Sequence, residues 1–270
     1  MKIACTYRII DENDNKKWID EAVRLGFSYM EIATSVLPED EAGQDEIIAY
    51  ALSRGLTLTL HAPYGINNIS AADDARRTSS IANVKHAIDL SAKHKLGTVT
   101  FHPGRLSDDA EPPEENMERM MAVVAEIAQY AKEKQVHVGM ENMERRPYEL
   151  IYTVDDLNRF ACLGKDNPYF GVTLDFAHYS SHGIGMPTLR ALQLPLYNVH
   201  VSQNVGGKMH YALPDDGIVD VDEVCRRLLD YGYDGAVVLE VRNQIPESRD
   251  LLAEAARRAS SISKKQGGNL

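Results

Sequence analysis

The chain has 270 residues, 44% hydrophobic and 26% charged, the composition of an ordinary globular protein with material for a large core. Its formal net charge of −11 disfavours a phosphate backbone as partner, because neutralising phosphates calls for a basic face. Cys5, Cys162 and Cys225 give neither a disulfide framework nor a zinc-finger spacing, and no apolar stretch reaches the roughly 18–20 residues that span a bilayer.

The opening MKIACTYRII enters a strand-like run at once and lacks the pattern of a signal peptide, so a cytoplasmic location is expected. Short apolar runs rich in Val, Ile, Leu and Thr then alternate with helix-like segments. KIACTY (2–7) precedes WIDEAVRLG, whose Ile19, Ala22, Val23 and Leu25 share one helical face before Gly26. FSYMEI (27–32) precedes DEIIAYALSRG, which stops at Gly55, and LTLTLHAP (56–63) precedes the longer SSIANVKHAIDLSAKHKLG. TVTFHP (98–103) leads through the acidic loop SDDAEPPEEN (107–116) into NMERMMAVVAEIAQYAKEK. VHVGMEN (136–142), FGVTLDF (170–176) and YNVHVS (197–202) follow, then the helix VDEVCRRLLDYG, the strand AVVLEV (236–241) and a final helix LLAEAARRASSISKK. Eight near-continuous apolar strands, each followed by a helix, predict an α/β fold, a single (β/α)8 TIM barrel spanning 1–270 as one domain. The alternative, an open doubly wound sheet, lacks its usual glycine-rich phosphate loop after the first strand.

Six of these runs end in a residue able to bind a metal: His61, His102, Glu141, Asp175 (with His178 three residues on), His200 and Glu240. Taken singly, each has a structural explanation. A strand-end histidine is usually a satisfied core residue, Asp175 would serve as a helix N-cap, and Glu240 would pair with Arg242. Together they are costly to bury at six strand ends unless something neutralises them, and barrels of this type place their chemistry at that face. Three carboxylates and one imidazole from Glu141, Asp175, His200 and Glu240 suit Mn²⁺, Mg²⁺, Co²⁺ or Zn²⁺ in an open coordination sphere. His86, His94, His137 and His182 fall on helices, at a strand start or in a loop, and are set aside.

HAPY (61–64), FHPG (101–104), MENM (140–143), LDFAH (174–178), NVHVSQN (198–204) and LEV (239–241) together resemble the xylose isomerase-like TIM barrels. That superfamily includes sugar isomerases and epimerases and the zinc apurinic/apyrimidinic endonucleases. The resemblance implies a metal site of Glu141, Asp175, His200 and Glu240, with His178 beside the substrate. In the endonuclease branch His61 and His102 would bind a second ion, and His178 and His210 a third. Lys208 stands where that branch has a third-ion aspartate, which opposes a complete trinuclear site. Gly206 stands where keto-sugar epimerases often carry an arginine, which leaves Lys208 or Arg242 to contact the substrate in its place.

The expected function is therefore a divalent-metal-dependent isomerase or epimerase of a sugar or sugar derivative. Proton transfer would pass through a metal-stabilised enediolate, with Glu141 and Glu240 as the two acid/bases. His178, His61, His102, Lys208 and Arg242 are the expected substrate contacts. A multi-zinc phosphodiesterase is the alternative, for which His61, His102, His178 and His210 would add ligands. The expected partner is a small-molecule sugar, with no nucleic acid and no membrane, and with homo-oligomerisation left open.

Overall fold

Each apolar run forms a strand, and the strands close on one another. The structure is a computed structural model that describes residues 1–6, 14–65, 67–205, 208–211 and 218–241, together with positions 254, 257 and 261. β1 (Lys2–Thr6), β2 (Tyr29–Ala33), β3 (Thr57–His61), β4 (Val99–Phe101), β5 (Val138–Glu141), β6 (Phe170–Asp175) and β7 (Leu196–Val201) run in sequence order around the barrel. An antiparallel hairpin, β8 (Gln203–Val205) and β9 (Lys208–Tyr211), follows β7. β10 (Ala236–Leu239) then pairs with both β7 and β1 in parallel and completes a closed eight-stranded barrel. The expected last helix, and Arg242 and Gly206, lie outside the described residues, as do the side chains of Lys208 and His210.

Helices α1 (Asn15–Arg24), α2 (Glu41–Ser53), α3 (Asp74–His94), α4 (Pro113–Lys134) and α8 (Val221–Tyr231) occupy the predicted segments. Asp14, Asp40, Asp73 and Asp220 each accept a backbone N–H from the first turn of the helix that follows. Gly26 ends the first helical segment with φ +90°, as its position predicted. The third helix stops earlier than predicted, because Lys95 rather than Gly97 takes the left-handed conformation. Three short helices were not foreseen: α5 (Val154–Asn158), α6 (Ala161–Gly164) and α7 (Phe176–Ser180).

The strands are less uniform than they read. Outward positions such as Met30, Ile32, Leu58, Leu60, Val99, Phe101, Val138 and Met140 join helix residues including Ile19, Ile48, Ile88 and Val124 in one continuous core. Burying each such side chain contributes roughly 1.5–3 kcal/mol. The inward positions are largely polar and bond across the lumen. Thr100 and Thr173 share a hydrogen bond at 2.9 Å, and Asn198 Nδ2 donates to Glu31 Oε2 at 2.7 Å and to Thr100 Oγ1 at 3.1 Å. A small apolar group, Ala4, Ala236 and Val238, packs beside Tyr29 apart from the main core. This polar floor carries the residues at the C-terminal mouth.

Gly139 makes room for that floor. A Cβ on it would stand 2.3 Å from Thr173 Oγ1 and 3.0 Å from the Thr173 backbone nitrogen, neither of which can retreat without disturbing β6. Gly139→Ala should therefore cost about 1–3 kcal/mol and lower the midpoint of thermal unfolding by several degrees. An unchanged midpoint would show that the floor is loosely packed.

Candidate metal centre

The barrel brings four of the predicted strand-end residues to one point. Glu141 ends β5, Asp175 ends β6 directly opposite His200 of β7, and Glu240 follows β10, its N–H donating to Val201 O at 2.9 Å. One ligand atom from each of Glu141, Asp175, His200 and Glu240 lies within 4.8 Å of all the others. His61, His102 and Glu141 form a second group by the same measure, so Glu141 belongs to both. Its Oε1 lies 3.0 Å from His200 Nδ1, and its Oε2 lies 3.2 Å from His61 Nε2 and 3.1 Å from His102 Nε2. Each oxygen thus faces one of the two groups.

The backbone around Asp175 is held by Asn142. Asn142 Nδ2 donates to Asp175 O at 3.0 Å, and the Asp175 N–H donates to Asn142 Oδ1 at 2.8 Å, which locks the ends of β5 and β6 together. Asp175 is also the N-cap of α7, its Oδ1 accepting the His178 N–H at 2.6 Å. His178 Nδ1 donates to Asn142 O at 2.9 Å, which turns the imidazole toward the site. Asp175 Oδ2 is buried and accepts no hydrogen bond among the described residues. A buried carboxylate oxygen without a donor, packed against two further carboxylates and an imidazole, fits a divalent cation.

The electrostatics follow from that crowding. Burial alone would raise the Glu141 carboxyl, but the imidazoles of His200, His102 and His61 outweigh it and hold it well below the ordinary range. Asp175 has the opposite balance: burial, reinforced by Glu240 and Glu141, pushes it up to about 7 against the pull of His178. Burial works to lower His200, and the carboxylates of Glu31 and Glu141 override it and raise the imidazole well above its usual value. His102, more weakly compensated, is lowered by burial.

Among the substrate contacts expected from the sequence, His178 and His102 line a cavity of about 380 Å³ above the cluster, as does Glu240. His61 lies deeper, its Nδ1 2.7 Å from Ala62 O. Of the histidines set aside, His86 bonds Gln44, His94 bonds Asp45, and His137 rests against Tyr169 and Tyr197, while His182 Nε2 lies 3.2 Å from the carbonyl of Met143, a residue that lines the cavity. The sequence reading missed Glu31, whose Oε1 lies 2.9 Å from His200 Nε2. A lone acid in the apolar run FSYMEI was the available signal. It also missed Asn142 and Glu149.

Glu149 lines the cavity with Tyr64, Arg105, Arg146 and Tyr148, and it is almost wholly buried. Burial pushes its carboxyl up to about 7, against the attraction of Arg105 and Arg146. Between the unfolded value and about 7 the folded chain keeps a proton that the unfolded chain has released. Glu149 therefore makes folding less favourable as pH rises through that window. Glu149→Gln should gain thermal stability relative to the parent from about pH 4.5 to about pH 7 and level off above, with a ceiling of about 3 kcal/mol. A difference between the two proteins that stays flat with pH would exclude this titration.

The family model described as xylose isomerase-like TIM barrel matches residues 19–262. The D-psicose 3-epimerase of Ruminiclostridium cellulolyticum is 27% identical over 237 residues, 85% of this chain and 78% of that protein. Among solved structures, a D-tagatose 3-epimerase-like protein superposes with a TM-score of 0.83 at 19% identity, covering 98% of this chain and 99% of that one. The 3-keto-D-glucoside 4-epimerase of E. coli superposes with a TM-score of 0.81 at 18% identity, covering 97% and 99%. With its closed parallel barrel and a match over nearly its whole length, the chain belongs to the xylose isomerase-like TIM barrel family.

Proposed function

We propose that this protein is a divalent-metal-dependent epimerase or isomerase of a keto sugar or sugar derivative. The observation that carries the reading is the convergence of Glu141, Asp175, His200 and Glu240 within 4.8 Å beneath a cavity of about 380 Å³. The sugar epimerases among its relatives support the substrate class. A divalent ion held by those four residues would supply Lewis-acid polarisation of a carbonyl and its neighbouring hydroxyl.

The protein's own groups then divide the work. Of the four clustered residues Glu240 lines the cavity, whereas Glu141 lies beneath it, fixed by three imidazoles. One removes the proton from the carbon beside the carbonyl, giving an enediolate, and the other returns a proton to the opposite face, which inverts that carbon. Return by one group to the adjacent carbon gives aldose–ketose isomerisation instead. His178, oriented by Asn142 O, is placed to hydrogen-bond a substrate oxygen as charge develops on it. Arg105, Arg146 and Glu149 provide polar contacts further out, while Lys208 and Arg242 remain proposed contacts. His61 and His102 on the other oxygen of Glu141 favour a second reading, a multi-zinc phosphodiesterase. Two or three zinc ions per chain with phosphodiester cleavage would establish that alternative.

Two measurements test the proposal. Mn²⁺ or Co²⁺ at about one hundred times its dissociation constant should stabilise the metal-free protein by about 2.7 kcal/mol. The thermal midpoint should then rise by roughly 5–10 °C. A midpoint unmoved by Mn²⁺, Co²⁺, Zn²⁺ and Mg²⁺ would remove the metal site. Incubation of the loaded protein with D-psicose, D-tagatose or a 3-keto glucoside in D₂O should place deuterium on the carbon beside the carbonyl. Glu141→Gln and Glu240→Gln should each slow that exchange by about 10²–10⁴-fold while remaining folded. Undiminished exchange in both variants would defeat the two-carboxylate scheme.

A further inference from the structure

Glu31 sits on β2, facing into the barrel and buried, on the far side of His200 from the metal cluster. Its Oε2 accepts Asn198 Nδ2 at 2.7 Å and Thr59 Oγ1 at 3.3 Å, which leaves Oε1 directed at His200 Nε2 at 2.9 Å. The other ring nitrogen, Nδ1, lies 3.0 Å from Glu141 Oε1 and 3.4 Å from Glu240 Oε2. His200 is thus wedged between a carboxylate beneath it and the ligand carboxylates above.

We propose that Glu31 is a positioning residue that holds the Nε2–H of His200 and so commits Nδ1 to a cation bound by Glu141, Asp175 and Glu240. A neutral imidazole carries one donor and one acceptor nitrogen, and a partner at one fixes the role of the other. The competing partner for Nε2 is Asn198 Nδ2, at 3.2 Å. Its two hydrogens are already taken by Glu31 Oε2 and Thr100 Oγ1 at 2.7 and 3.1 Å, so it has none to give the ring. Thr59 and Asn198 hold Glu31 in turn, and Thr100 joins Asn198 to Thr173. The polar floor is therefore a fixed mount for one ligand, with strands β2, β3, β4, β6 and β7 contributing to it. Glu31 touches no substrate in this arrangement and acts only through His200.

The inference rests on the reading that Glu141, Asp175, His200 and Glu240 hold a divalent ion, and the test separates the two. Zn²⁺ affinity is measured by competition with a chromophoric chelator for the parent, Glu31→Gln, His200→Ala and the double variant. Glu31→Gln keeps the shape but sets an amide against the Asn198 amide, and it should weaken Zn²⁺ binding about 10–100-fold. In the His200→Ala background the same change should cost less than about twofold, because nothing remains for Glu31 to orient. An equal loss in both backgrounds, or none in either, would overturn the role assigned to Glu31. A parent protein that binds no Zn²⁺ would instead overturn the metal site itself. Should Glu31→Gln fail to fold, long-range ¹H–¹⁵N spectra of the Zn²⁺-loaded parent with labelled histidine decide the matter. The His200 ring should carry its proton on Nε2 with Nδ1 shifted by the metal, and a ring protonated on Nδ1 would refute the proposal.

Discussion

The carboxylate of Glu141 is the constraint around which the mouth of the barrel is arranged. An ionised carboxylate removed from water costs several kcal/mol unless donors or cations surround it. Here imidazoles come from β3, from the residue following β4 and from β7, and they take both of its oxygens. Four strand ends must meet at fixed heights for this to happen. The register that pairs Asp175 with His200, and Ala33 with His61, sets those heights. The same carboxylate divides the site, with its two oxygens facing two different groups of donors.

A barrel is a good scaffold for such crowding because its outer and inner faces are independent. Stability comes largely from the outward side chains, which pack against the helices in one apolar core. That frees the inward positions to be Thr, Asn, Glu and His, arranged as a hydrogen-bonded floor rather than as the branched aliphatic layers common in this fold. Above the floor stands the cluster of Glu141, Asp175, His200 and Glu240, and above the cluster stands the loop that follows β5, which supplies Met143, Glu144, Arg146, Tyr148 and Glu149 to the cavity.

Much of this was legible in the sequence, for identifiable reasons. Parallel strands covered on both sides read as short apolar runs, so all eight were visible, and a charged residue ending such a run stands out. That rule found Glu141, Asp175, His200 and Glu240 but passed over Glu31, whose approach to His200 from below is a contact between strands that the run FSYMEI does not show. Asn142 was visible beside Glu141, but its pairing with Asp175 is a contact between strands that only register reveals. Glu149 lies in irregular chain, where no periodicity indicates burial. Helices α5, α6 and α7 are too short for a 3.6-residue repeat to show, and the β8–β9 hairpin is a pair of three- and four-residue strands whose pattern is just as brief.

Asp175 spends one oxygen on starting α7 and presents the other to the ligand cluster, and the amide it caps belongs to His178. The two residues therefore form one mechanical unit, locked to β5 through Asn142. The reach of His178 cannot change without moving Asp175, so substitutions along Asp175–His178 are expected to be strongly epistatic. Met143, Glu144, Arg146, Tyr148 and Glu149 line the cavity from outside this unit, on the loop after β5. Substitutions at those positions would reshape the cavity while leaving the unit beneath in place.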